Sequence, residues 1–155
     1  MANKNLLIVV HAPSPNTEKL LNAIVSGAAD TETNSLEINH RSPFQTRADD
    51  VLAADALILG TTENLGYMSG ALKDFFDRIY YPCLEKTQGL PYALYIRAGM
   101  DGTGTQRSVE AIVSGLRWRA VQEPLICRGD YKASFQDQCR ALGMAMATGL
   151  DAGIF

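Results

Sequence analysis

The run Leu6-Leu7-Ile8-Val9-Val10 constrains this chain more than any other stretch. Five consecutive aliphatic residues cannot alternate between a dry and a wet face, so a strand built from them is covered on both sides. Such strands belong to parallel sheets with helices packed on each face. After Thr17, Leu20, Leu21, Ile24, Val25 and Ala28 recur at helical spacing. Ser35 to Ile38 reads as a shorter strand nearer an edge. A polar stretch from Asn39 to Thr46 then leads to a short helix around Arg47 to Ala54. Ala56 to Leu59 is a third strand, closed by Gly60. Leu72, Phe75, Phe76, Ile79 and Tyr80 form one apolar stripe of a helix from Gly70 to Tyr81, which Pro82 is expected to stop.

Pro91 opens a fourth strand, Tyr92 to Arg97, followed by a loop and a helix that carries Val109, Ile112, Val113 and Leu116 in register. Val121 to Cys127 is the fifth strand, and Pro124 within it argues for an edge position. Ser134 is expected to cap the last helix with Asp137 three residues on. Phe135, Cys139, Leu142 and Met146 make the buried stripe of that helix. Strand and helix thus alternate five times without a repeat, a linker or a low-complexity segment. The pattern predicts a single domain over 1–155: an α/β three-layer sandwich around a doubly wound five-stranded parallel sheet of order 2-1-3-4-5. A chain of 155 residues is long enough for a proper core.

Charge and cysteine usage exclude several classes of function. The formal charge of −3 comes with no basic stripe to neutralise phosphates, which argues against nucleic acid. The same charge is too small for a strongly acidic docking surface. Cys83, Cys127 and Cys139 show no paired or metal-ligand spacing and read as reduced thiols of a cytoplasmic protein. No carboxylate or histidine cluster has metal spacing, so no metal site is expected. No apolar stretch is long enough to span a membrane, and a strand starting at Leu6 leaves no room for a signal peptide.

In a sheet of this kind the loops after the first, third and fourth strands converge at the switch point, where ligands bind. The loop after the third strand, Gly60-Thr-Thr-Glu-Asn-Leu-Gly-Tyr-Met-Ser-Gly70, carries an amide, hydroxyls, a phenol and glycines. That chemistry suits a flat, hydrogen-bonding heterocycle better than a metal or a nucleophile. Gly99-Met-Asp-Gly-Thr-Gly104 looks like a dinucleotide fingerprint, but its order is G-x-x-G-x-G and no acidic residue ends a suitable next strand. A G-x-S-x-G nucleophile elbow is absent, and His11 and His40 have no acid or nucleophile beside them. Arg107, Arg117 and Arg119 could attract a dinucleotide phosphate, though arginines at a helix end more often complement its dipole.

The segment from Gly60 to Arg78, with Met68-Ser69 and then Leu72-Lys73-Asp74-Phe75-Phe76-Asp77-Arg78, resembles the second ligand loop and following helix of the flavodoxin-like NAD(P)H-dependent FMN reductases. Thr62 stands where relatives commonly have proline. Ser14-Pro-Asn-Thr-Glu-Lys-Leu-Leu21 resembles their phosphate loop, with Pro13 and Pro15 as departures and Glu18 as a charge in the first helical turn. The resemblance implies a flavodoxin-like fold with bound FMN. Ser14, Asn16 and Thr17 would hold its phosphate at a helix N-terminus, unless Ser14 or Asn16 serves only as the cap. Thr61, Thr62, Glu63, Asn64, Gly66 and Tyr67 would contact one side of the flavin ring, and Ala98, Gly99, Gly102 and Gly104 would close on its other edge. No side chain is required as acid or base, and the catalytic residue is left unassigned, since the cofactor carries the chemistry.

The implied activity is hydride transfer from NAD(P)H to FMN, then reduction of a flavin, a quinone or a similar small-molecule acceptor, in a homo-oligomer. An iron–sulfur cluster is excluded, because relatives that hold one carry a compact cysteine cluster. Two rivals share the fold: an electron carrier that NAD(P)H does not reduce directly, and a flavodoxin-like binding module without cofactor.

Overall fold

The computed structural model describes residues 3–31 and 35–155. In chain order its elements are β1 (Lys4–Val10), α1 (Pro15–Ala29), β2 (Leu36–Arg41), a 3-10 turn (Pro43–Gln45), α2 (Ala48–Leu52), β3 (Ala56–Asn64), β4 (Tyr67–Met68), α3 (Gly70–Cys83), β5 (Pro91–Ala98), α4 (Thr103–Leu116), β6 (Arg119–Ala120), β7 (Leu125–Arg128) and α5 (Ser134–Asp151). β2, β1, β3 and β5 lie side by side in that order, and β6 and β7 both pair with the outer edge of β5. All of these pairings are parallel. With β6 and β7 taken as two pieces of one interrupted strand, the order is the expected 2-1-3-4-5.

The run that opened the sequence reading sits at the centre of this arrangement. Leu7 and Val9 join the core beneath α3 and α4, with Leu57, Leu59, Phe75, Phe76 and Trp118. Leu6, Ile8 and Val10 join the core beneath α1 and α5, with Leu20, Ile24, Cys139 and Met146. Neighbouring residues of one strand thus serve opposite cores, which is the pleat of a sheet covered on both faces. Burial of this kind contributes about 25 cal/mol per Å² of apolar surface removed from water.

Five local expectations are corrected. β2 starts at Leu36 and runs on to Arg41, because Asn39, His40 and Arg41 pair with Leu7, Ile8 and Val9. An edge strand with a wet outer face tolerates those polar side chains, which disguised it. β3 continues past Gly60 to Asn64, because Gly60 pairs with Val10 of β1 and Tyr95 of β5, and Thr61 and Thr62 pair with Ile96 and Arg97 of β5. Pro82 lies inside α3, which ends at Cys83. Its missing N–H deprives one carbonyl of the last turn, too late to break the helix, and the Leu84 N–H still donates to the Tyr80 carbonyl at 2.9 Å. The fifth strand is split, with Pro124 in the gap between β6 and β7. Ser134 is the first residue of α5 and not its cap; Ala133 occupies that position without a side-chain bond.

Among the described residues, no helix is long and apolar enough to cross a membrane.

Candidate active site

The carboxyl ends of β1, β3, β5 and β7 meet at one edge of the sheet. The first wall is the start of α1. Ser14 caps it, with its Oγ accepting from the Thr17 N–H at 3.3 Å while the Ser14 N–H donates to Thr17 Oγ1 at 2.9 Å. The two hydroxyls also bond each other at 2.8 Å, and Thr17 is buried. The cap reading of Ser14 therefore holds, and its hydroxyl still lies at the positive end of a 15-residue helix. Asn16 is exposed one turn-position further out.

The second wall is a hairpin. β3 and β4 pair antiparallel through Glu63 with Met68 and Asn64 with Tyr67. Only Leu65 and Gly66 connect them, with φ of 54° and 73°. Positive φ at both central residues is the signature of a type I′ turn, whose twist matches that of the flanking strands. Leu65 is a costly occupant, since a left-handed backbone disfavours a residue with a Cβ. It is fully exposed. Thr61 is buried beneath the hairpin, where its hydroxyl donates to the Thr62 carbonyl at 2.9 Å and accepts from the Ser69 N–H at 3.0 Å. Ser69 in turn caps α3 by accepting from the Leu72 N–H at 3.1 Å. The Thr62 hydroxyl donates to Asn64 Oδ1 at 2.8 Å.

The third wall is the segment after β5. Glu63 reaches across to it: Oε1 accepts from the Met100 N–H at 2.9 Å and Oε2 from the Gly102 N–H at 2.8 Å. The Tyr67 carbonyl accepts from the Thr105 hydroxyl at 3.0 Å, and the Met68 N–H donates to Ser108 Oγ at 3.3 Å. Hairpin and α4 are thereby joined. On the outer side Arg128 Nε donates to the Asp101 carbonyl at 2.6 Å. The Asp101 carboxylate accepts from the Thr103 N–H and hydroxyl, and these bonds hold its pKa below the usual carboxylate range.

Of the residues nominated from sequence, Asn16, Asn64, Gly66, Tyr67 and Gly99 are exposed along this rim. Thr62 and Ser14 are half-buried, and Thr17, Thr61, Ala98 and Gly102 are buried. The Ala98 carbonyl accepts from Arg97 Nη1 at 2.8 Å and from the Gly129 N–H at 2.9 Å. Gly104 faces the hairpin, where a Cβ would collide with the Gly66 carbonyl. His11 ends β1, its N–H donating to the Gly60 carbonyl at 3.0 Å, and burial lowers its imidazole pKa. Arg117 and Arg119 are at the far end of α4, about 20 Å from its N-terminus at 1.5 Å per residue.

Sequence reasoning passed over Arg97, Leu65, Met100 and Arg128. Arg97 had a signal, a lone cation at the end of an apolar strand. Its Nη1 also donates to the Cys127 carbonyl at 3.1 Å, and its guanidinium lies 5.3 Å from the Phe135 ring centroid. Leu65 carried no signal, because leucine is not a turn residue. Among the described residues no three His, Cys, Asp or Glu side chains come together as a metal site.

The donor set fits FMN: a helix N-terminus with a serine for the phosphate, a polar hairpin for one ring edge, and the segment after β5 for the other. The comparisons agree with the geometry. The family model described as NADPH-dependent FMN reductase matches residues 13–126. A flavodoxin from Aquifex aeolicus is 25% identical over 111 residues, 72% of this chain but only 59% of that protein. An archaeal flavodoxin superposes with a TM-score of 0.78 at 17% identity, covering 95% of this chain and 99% of its own. The two-electron reduced flavodoxin of Megasphaera elsdenii gives 0.74 at 17% identity, covering 92% and 98%. These structures share the fold, and the family match extends from the loop after β1 through the hairpin into β7. The chain belongs to the NADPH-dependent FMN reductase family of flavodoxin-like, FMN-binding oxidoreductases.

Proposed function

We propose that the chain binds FMN across the ends of β1, β3 and β5, accepts a hydride from NAD(P)H onto it, and passes the electrons to a flavin, quinone or similar acceptor. The observation that carries this reading is that the cap of α1, the β3–β4 hairpin and the segment after β5 come from three separate strands and converge at one edge of the sheet. Bound FMN would supply all of the redox chemistry. Ser14 and the first turn of α1 would hold the phosphate, through a hydroxyl and the helix dipole. The Thr62 and Asn64 pair, with the backbone of the hairpin, would orient the ring. The exposed Tyr67 phenol stands where it could cover one face of the ring. Pro15 removes one N–H from the first turn, which makes the Ser14 hydroxyl and Asn16 amide more important than in a proline-free loop.

A carrier reading is favoured by the flavodoxin from Aquifex aeolicus. One experiment separates the two. Purified protein is mixed with FMN, freed of excess, and titrated anaerobically with NADPH and then NADH. The reductase reading expects retained yellow colour that bleaches promptly. Retained colour without bleaching means a carrier, and colour lost on gel filtration removes the flavin site. The three free cysteines, all buried, suit a reducing cytoplasm. Self-association is expected, and light scattering of the FMN-loaded protein measures it.

A further inference from the structure

Glu63 was nominated from sequence as a ligand contact, yet its side chain is turned away from that task. Both carboxylate oxygens accept backbone N–H groups of the segment after β5, at 2.9 Å from Met100 and 2.8 Å from Gly102. This segment consists of Gly99, Met100, Asp101 and Gly102 and is otherwise thinly held. Gly99, Met100 and Asp101 are exposed, and the Met100 side chain packs under nothing. From outside, the Arg128 Nε bond to the Asp101 carbonyl pins one point. From inside, Glu63 is the group that reaches it. The carboxylate stands on the hairpin, whose own position is fixed by the ladder to Tyr67 and Met68, by the bond from Thr105 and by the bond that Met68 donates to Ser108.

We infer that Glu63 is a positioning residue that sets the segment 99–102 against the β3–β4 hairpin, holding these two walls of the site in one fixed arrangement. The physical reason is preorganisation. Two charge-assisted hydrogen bonds to adjacent parts of one loop are stronger than neutral ones, and a loop already ordered loses less entropy on binding. The inference rests on the flavin reading for the ligand, but not for the latch itself. It also accounts for a glutamate at a site for a phosphate-bearing cofactor: both of its carboxylate oxygens are engaged by backbone amides.

Amide hydrogen exchange of the ligand-free protein tests the latch directly, with Glu63→Gln, Glu63→Asp and Glu63→Ala beside the wild type. Thermal melts confirm that each variant is folded. Wild type should protect the Met100 and Gly102 amides. Glu63→Ala should lose at least about tenfold of that protection at both, since it removes the carboxylate that accepts the two bonds. Glu63→Asp and Glu63→Gln should fall between, since each leaves a reach or an acceptor for one amide. FMN titrations should follow the same order, with affinity about tenfold weaker in Glu63→Ala. Equal protection in Glu63→Ala and wild type would overturn the latch. Lost protection with unchanged FMN affinity would overturn its role in positioning the site. A wild type that binds no FMN removes the flavin reading, while the exchange rates still decide whether Glu63 holds the loop.

Discussion

Gly104, in the first turn of α4, lies against the backbone carbonyl of Gly66 at the tip of the β3–β4 hairpin, so closely that a Cβ has no room between them. The contact brings the second and third walls of the site into direct backbone apposition. Neither partner is a flexible side chain that could swing aside. Gly104→Ala should therefore force the hairpin and α4 apart, at about 1–3 kcal/mol, the usual cost of overpacking. Urea denaturation measures the loss, and FMN titration should show weaker binding in the same variant. An unchanged midpoint would mean that the two walls yield without cost.

Leu65 tests the opposite sign. Its φ of 54° is unfavourable for leucine, and its side chain is fully exposed, so little packing is lost on replacement. Leu65→Asn creates the Asn-Gly pair that type I′ turns prefer. We expect stabilisation of about 1 kcal/mol, seen as a higher urea midpoint with an unchanged slope. A lower midpoint would show that the leucine makes a stabilising contact after all.

Arg97 joins the ends of β5 and β7 through the carbonyls of Ala98 and Cys127 and lies beside the Phe135 and Tyr131 rings. Replacing it by Met keeps much of the apolar stem and removes the donors. Hydrogen bonds to a charged group are worth about 1.5–3 kcal/mol. Arg97→Met should cost about 2 kcal/mol, and exchange mapping should place the loosening in the loop between β7 and α5. A loss spread evenly over the sheet would contradict this assignment.

Cys83 supplies a pH dependence. Burial raises its thiol pKa from 9.0 to about 11. The folded state therefore holds the proton more tightly than the unfolded chain. Its contribution to stability is fully present below pH 9.0 and is lost as pH rises toward about 11. Tyr92 and Tyr95 are also raised by burial and act in the same direction above their usual range. Cys83→Ala should flatten part of the alkaline decline in urea midpoint, and iodoacetamide should leave wild-type Cys83 unmodified at neutral pH. An identical alkaline slope in the variant would rule the thiol out as a source.

The reading from sequence alone was strongest where one local pattern has one physical solution. Leu6 to Val10 had to be covered on both faces, and the stripe Leu72, Phe75, Phe76, Ile79 had to face a core. With the five-fold alternation of strand and helix around them, these patterns pointed to a doubly wound parallel sheet. Side-chain polarity misled at β2, where Asn39 and His40 are ladder residues of a wet edge, because pairing is a backbone property that polar side chains do not prevent. Tertiary structure alone decided how the site residues are used. Glu63 looks like a ligand group in a polar loop, yet its carboxylate oxygens are taken by the Met100 and Gly102 amides, nearly forty residues on in sequence, while the Thr61 hydroxyl accepts from Ser69 across the hairpin. Which donor an acceptor meets depends on where other strands end, and no local spacing encodes that. Composition and periodicity specified the scaffold, while long-range hydrogen bonds selected which polar groups are left to face a ligand.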